Sequence, residues 1–304
     1  MKWKKLGLVY AADGKTDWTY SHAFMPTPII LNKRTIRVYV AFWDNQNIGR
    51  LGFVDVDSEN PLKVKKISSK PVFDIGEPGT FDDNGVTPMT LLQIGNDFYL
   101  YYTGWQLGNR VRYFMLTGCA KSDNNGTTFT RVKKTPILER SDEELFFRAA
   151  SHVKYHQERY KMWYIGGNSW IEVNGKIVPT YNMRYLESKD GINWGSEGRV
   201  CLNLSSPNEY GFGRPYVIIE DNIYKMWYSI RYKDRGYRLG YAESNDGLNW
   251  IRKDNEVGID VSESGWDSEM ICYCSIIDVA GRRYMFYNGN NYGETGFGVA
   301  VFEE

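Results

Sequence analysis

Short apolar runs with period-two alternation recur along this chain. Tyr224-Lys225-Met226-Trp227-Tyr228 alternates large apolar and polar residues, and Leu239-Gly240-Tyr241-Ala242-Glu243-Ser244 does so more loosely. Such alternation marks half-buried strands. Between that second run and a third beginning at Trp250 lies Ser244-Asn245-Asp246-Gly247-Leu248-Asn249-Trp250, where Asp-Gly signals a hairpin. The same text stands upstream: Tyr160-Lys161-Met162-Trp163-Tyr164, then Tyr185-Leu186-Glu187-Ser188, then Ser188-Lys189-Asp190-Gly191-Ile192-Asn193-Trp194. Self-similarity at a fixed period predicts a repeat architecture.

Five units can be written out. Their inner runs begin at Thr27, Thr87, Ser151, Arg214 and Cys274. Their middle aromatic runs include Tyr39, Tyr102, Tyr164, Tyr228 and Tyr287. The last four of these tyrosines recur about every 60 residues, room for four short strands with turns. The fifth unit reaches the C-terminus without a fourth strand. Trp3-Lys4-Lys5-Leu6 resembles Trp250-Ile251-Arg252-Lys253, so a strand over roughly residues 3 to 10 is expected to close the last unit. The expectation is an all-β, five-bladed β-propeller of four antiparallel strands per blade, one domain over 1–304.

Composition changes this picture little. Thirty glycines and many aromatics suit an all-β chain, and 37 basic against 37 acidic residues leave no footprint for nucleic acid or an anionic membrane. No apolar segment reaches the length of a membrane span, and the N-terminal residues read as no export signal, so the cytoplasm is the expected compartment. Cys119, Cys201, Cys272 and Cys274 form no zinc spacing and read as packed thiols. No metal and no cofactor is expected.

Alternating strand direction sorts residues by face. Entries to the first strands share a face with the loops between second and third strands; the Asp-Gly turns lie opposite. Ser122-Asp123-Asn124-Asn125-Gly126-Thr127-Thr128-Phe129 fits the Asp-box pattern, and Ser188 to Trp194 and Ser244 to Trp250 are shorter versions. Their side chains satisfy turn amides and their glycines take positive φ, a structural role. The entries carry ionisable groups instead: His22, Asp82 and Asp83, Arg148 and His152, Arg214, Asp267 and Glu269. Charges near an axis are costly unless paired, so these either neutralise one another or line a polar pocket. The loops on that face offer Trp43, Trp105, Trp170, Tyr232 and Asn288 to Tyr292, Asn290 among them. Aromatic faces stack on sugar C–H faces and amides bond hydroxyls, which makes a carbohydrate-binding rim; packing between blades is the alternative.

With these repeats, turns and entries, the chain resembles the five-bladed β-propeller glycosidases, the fold group of glycoside hydrolase families 32, 43, 62, 68 and 130. The stretch YKMWYS…GYAESNDGLNW carries the likeness to the fold. GWDSEMICY and YMFYNGN…GETGFGVA are similar to glycosylase-like propellers associated with bacterial surface-polysaccharide synthesis. The resemblance implies an acid from each of blades 1, 2 and 3. Here blade 1 enters with His22 and blade 3 with Arg148 and His152, so only the blade 2 acids match loosely.

Three functions stay open. A glycoside hydrolase needs two carboxyl groups, with Asp83 and Glu269 as first candidates and Asp82 and Asp267 behind them. A sugar phosphorylase or transferase on an anionic donor would use Arg148 and Arg214 as an anion clamp, with His152 beside them. A non-catalytic carbohydrate-binding propeller needs only the pocket and rim. In each case the expected partner is a carbohydrate.

Overall fold

A computed structural model describes residues 1–303. Nearly every expected run is a strand, and the strands group in sequence order. The first group is β2 (Ser21–Asn32), β3 (Thr35–Trp43), β4 (Gly49–Asp57) and β5 (Val64–Ile67), with β1 (Lys2–Tyr10) set apart. The second is β6 (Val86–Ile94), β7 (Asp97–Leu107), β8 (Tyr113–Ser122) and β9 (Thr130–Arg131). The third is β10 (Arg148–His156), β11 (Arg159–Val173), β12 (Lys176–Ser188) and β13 (Arg199–Leu202). The fourth is β14 (Glu209–Glu220), β15 (Ile223–Tyr232), β16 (Arg238–Ser244) and β17 (Ile251–Arg252). The fifth is β18 (Cys272–Val279), β19 (Arg282–Asn288) and β20 (Phe297–Glu303), and β1 pairs antiparallel with β20, Trp3 opposite Phe302.

Within each group the strands pair antiparallel in sequence order; a single parallel pair, Arg148 with Leu116, joins the second group to the third. The inner strands touch in a ring: β2 with β6, β6 with β10, β10 with β14, β14 with β18, and β18 with β2. Buried aromatic and β-branched residues fill the spaces between groups. Trp3 meets Trp227 edge-on at 6.4 Å, locking β1 against the fourth group. All four cysteines are free, and Cys119, Cys272 and Cys274 are buried.

Every inner strand carries an irregularity where its register against the second strand shifts. At four of these bulges a non-glycine residue takes positive φ: Met25 (60°), Ala150 (52°), Arg214 (29°) and Tyr273 (56°). Strained backbone persists only where its surroundings over-determine it. Here a polar side chain on a second strand holds the inner strand of the following group. Thr103 Oγ1 accepts from the Ala150 amide (3.0 Å), Ser229 Oγ from Tyr273 (2.8 Å), and Asn288 Oδ1 from Met25 (2.8 Å). The bulges therefore tie neighbouring groups together and re-aim side chains at one end of the ring.

No helix is long and apolar enough to cross a membrane. Among the described residues no three His, Cys, Asp or Glu side chains cluster to hold a metal ion.

Candidate functional site

The charged residues of the inner-strand entries do not converge as a set. Asp82 is fully buried; its carboxylate accepts from Tyr102 Oη (2.9 Å) and pairs with Arg131 (2.7 Å). Asp267 is equally hidden, accepting from Tyr287 Oη (2.9 Å) and from Lys5 Nζ (2.7 Å). The pattern repeats. Tyr164 donates to Glu144, which faces Arg148 and Arg184, and Tyr228 donates to Asp254, which pairs with Arg252. Burial and the adjacent carboxylate push the Tyr102 and Tyr164 hydroxyls far above their ordinary range, so each tyrosine stays a donor. Four groups thus use one device, a middle-strand tyrosine on a carboxylate paired with a cation. Asp82 and Asp267, expected as reserve catalytic acids, belong to it.

The expected anion clamp differs in the same way. Arg214 is buried inside the ring, where Nη1 donates to the carbonyls of Pro26 (2.8 Å) and Tyr273 (3.0 Å). Its Nη2 donates to Thr27 Oγ1 (2.7 Å) and the Met89 carbonyl (3.2 Å). It cross-ties β2, β6 and β18, and burial lowers it to about 10, so it stays charged at neutral pH. Arg148 donates to the Glu139 and Gly195 carbonyls at 2.6 and 2.8 Å and faces Glu144 at 3.4 Å. Both guanidiniums are taken up by protein acceptors. His152 is buried, its Nε2 on the Val217 carbonyl at 3.1 Å; burial, then Lys154 and Arg214, hold it well below the usual range.

The remaining candidates lie nearer the open end. Asp83 is half-buried and accepts from the Gly79 amide at 2.8 Å; Glu269 is exposed. His22 stacks on Trp43 at 3.8 Å, and burial lowers it to about 4. Trp105 is half-buried and donates from Nε1 to Thr87 Oγ1 (2.8 Å). Trp170 packs on Phe147 at 5.3 Å, and the Tyr232 ring lies under Arg235 at 4.1 Å. Asn290 is a loop holder: Oδ1 accepts from the Glu269 and Met270 amides, and Nδ2 donates to Gly265. It fixes the approach to β18, and so positions Glu269.

The structure brings Trp105 and Tyr292, expected at the rim, together with rings the sequence reading did not single out. Aromatic rings from all five groups touch at the entry end. Phe24 meets Tyr273 (5.1 Å) and Trp105 (6.5 Å), Trp105 meets Tyr113 (5.1 Å), Tyr113 meets Phe147 (6.0 Å), and Phe147 meets Tyr181 (5.5 Å). At the other end of this chain of rings, Tyr237 meets Tyr273 (5.8 Å) and Tyr292 (5.2 Å). Arg231, at the end of β15, reaches into this cluster and is buried. Its signal in the sequence was faint, because an arginine ending a strand ordinarily reads as solvated. Two surface hollows lie elsewhere, one at the β1 closure lined by Trp3, Trp227 and Arg283, the other between Asp57 and Arg282. Neither is lined by an entry residue, and the aromatic end has the chemistry that they lack.

The chain is 36% identical over 303 residues to Uncharacterized protein Rv1502 of Mycobacterium tuberculosis, covering all of both chains; MT1551 of the same species matches equally. No family model matches. Among solved structures, a glycosyl hydrolase from Bacteroides ovatus superposes with a TM-score of 0.76 at 14% identity, over 99% of this chain and 93% of that one. A structure described for the GH130 family of mannoside phosphorylases, said to contain glycoside hydrolases that target β-1,2 mannosidic linkages in Candida mannan, gives 0.75 at 15% identity, over 99% and 93%. A thermostable family-43 glycoside hydrolase gives 0.69 at 17% identity, over 93% and 91%. At these identities the likeness carries the fold, that of the glycosidase-like propeller enzymes.

Proposed function

The chain belongs to the family of Uncharacterized protein Rv1502, and we propose that it is a single five-bladed β-propeller that binds and processes a glycan at the entry end of its ring. The blade count rests on the closed circuit of inner-strand contacts. The observation that carries the function is the chain of touching aromatic rings from Tyr273 through Phe24, Trp105 and Tyr113 to Phe147. Rings there supply the flat apolar surfaces that sugar C–H faces stack on, beside a few convergent polar groups. Fold alone does not assign chemistry.

For hydrolysis, Asp83 and Glu269 are the two of the four candidate carboxylates with no ion pair among the described residues, Asp82 and Asp267 being held by Arg131 and Lys5. One would act as acid and the other as base or nucleophile. A second reading, glycan binding without turnover, is favoured by the commitment of Asp82 and Asp267 to tyrosine and cation partners. Screening a glycan panel for both binding and product release separates the two. Asp83→Asn and Glu269→Gln should abolish release and keep binding, since each removes a proton-transfer group with little change of shape. Release unchanged in both variants would remove these acids from the reaction. Binding with no release from any glycan would leave the binding reading, and no binding at all would sink the glycan assignment.

A further inference from the structure

Arg231 differs from the other buried arginines. Arg37 holds Asp55 with two hydrogen bonds, Arg252 holds Glu209 and Asp254, and Arg214 has four protein acceptors. Arg231 is 6% exposed, and among the described residues its one hydrogen bond runs from Nη1 to the Pro179 carbonyl at 2.9 Å. Its Nε is buried without a partner among the described residues, as are those of Arg148 and Arg214, but those two have further protein acceptors. A guanidinium has five N–H donors, and a buried charge left unpaired is costly.

Its surroundings are tyrosines. The ring of Tyr210 lies 4.3 Å from the guanidinium carbon, that of Tyr181 4.9 Å and that of Tyr237 5.8 Å. These contacts offset part of the desolvation. The ionisable groups acting most strongly on its charge are Tyr237, Tyr181, Tyr210 and Tyr113, with no carboxylate among them. The Tyr181 hydroxyl is buried and also lacks a partner. Across the strand pair, Gly211 faces Arg231; a Cβ there would fall 2.9 Å from the Tyr181 ring and 3.1 Å from Arg231 Cδ. The site is therefore a cationic fork with spare donors, walled by hydroxyl-bearing rings.

We propose that Arg231 and the tyrosine hydroxyls around it recognise the anionic group, carboxylate or phosphate, of an acidic sugar. The fork suits either group bidentately, and the hydroxyls complete its solvation where water is excluded. This rests on the glycan reading above and names the class of glycan.

The test is calorimetry on the full chain with glucuronate, glucose 6-phosphate, glucose and inorganic phosphate. The wild type should bind at least one of the two acidic sugars about 10-fold or more tighter than glucose, the scale of a charge-assisted hydrogen bond. Which of the two binds separates carboxylate from phosphate. Arg231→Lys keeps the charge and loses the fork, so that preference should shrink about 10-fold with glucose affinity unchanged. Should that variant fail to fold, Tyr181→Phe decides instead; it should weaken the acidic sugar alone, by about 3-fold, for one lost neutral hydrogen bond. Inorganic phosphate tests the anion site without the sugar. Phosphate bound through Arg231 with no sugar bound would keep the anion site and sink the glycan reading. Equal affinity for glucose and both acidic sugars, or an undiminished preference in the variant that folds, would overturn the proposal.

Discussion

The two ends of the ring treat their polar groups differently. At the turn end, Ser188 Oγ and Asp190 accept from the amides of Gly191, Ile192 and Asn193, and Ser244 with Asp246 repeats this on Gly247, Leu248 and Asn249. The glycine carbonyls are used as well. Tyr39 donates to Gly126 (2.7 Å), Tyr101 to Gly191 (3.1 Å) and Trp163 to Gly247 (2.8 Å), each from the preceding group. Trp227 stands at the corresponding place in the fourth group, and its buried Nε1 has no partner. The next group is completed by β1, so no such turn exists there to accept. At the entry end, strained bulges aim rings and one under-bonded arginine at a shared space. Saturated polar groups stiffen a scaffold, whereas spare donors held in place are what a ligand uses.

Four measurements sharpen that contrast, from the largest effect to the smallest. Asp82→Asn should destabilise by about 3–4 kcal/mol in denaturant unfolding, because it leaves Arg131 opposite a neutral group in a buried pair. A loss near zero would return Asp82 to the list of functional acids. Next comes acid sensitivity. Burial depresses His22 from 6.5 to about 4, so between those values the unfolded chain binds the proton and the folded one does not. Stability is then full above about pH 6.5 and falls by up to about 3 kcal/mol as pH drops towards 4. A pH series of melting curves on wild type and His22→Asn should show a shallower decline in the variant; parallel curves would place the loss on other groups, His152 first.

Asp190→Ala and Asp246→Ala should each cost about 1–2 kcal/mol, the scale of a lost cap, and leave ligand binding by the folded protein unchanged. Altered binding at full stability would mean the turn end takes part in function. Smallest is Arg231→Met, which should change stability by under about 1 kcal/mol or raise it slightly, since an unpaired buried charge gives way to an apolar side chain of similar length. A cost like that of Asp82→Asn would make Arg231 another scaffold arginine.

How much of this was legible beforehand follows from the range of the interactions. Strand positions, the five-unit repeat and the return of residues 3 to 10 to the last unit could be read because alternation and Asp-Gly turns are local; β1 does pair with β20. The turn aspartates could be assigned for the same reason, their amide donors lying within three residues. Arg148 and Arg214 looked available because their partners are distant in the chain. Pro26 is 188 residues from Arg214, and Gly195 is 47 from Arg148. The partners of Asp82 and Asp267 were out of reach for the same reason, Arg131 lying 49 residues away and Lys5 262.

The sequence by itself determined the all-β repeat, its closing strand and its turns, because period and turn chemistry act over a few residues. Only the tertiary structure decided which charges are neutralised and which are left over. That outcome depends on distances between groups far apart in the chain, and it turned Arg214 into an internal tie and left Arg231 among tyrosines.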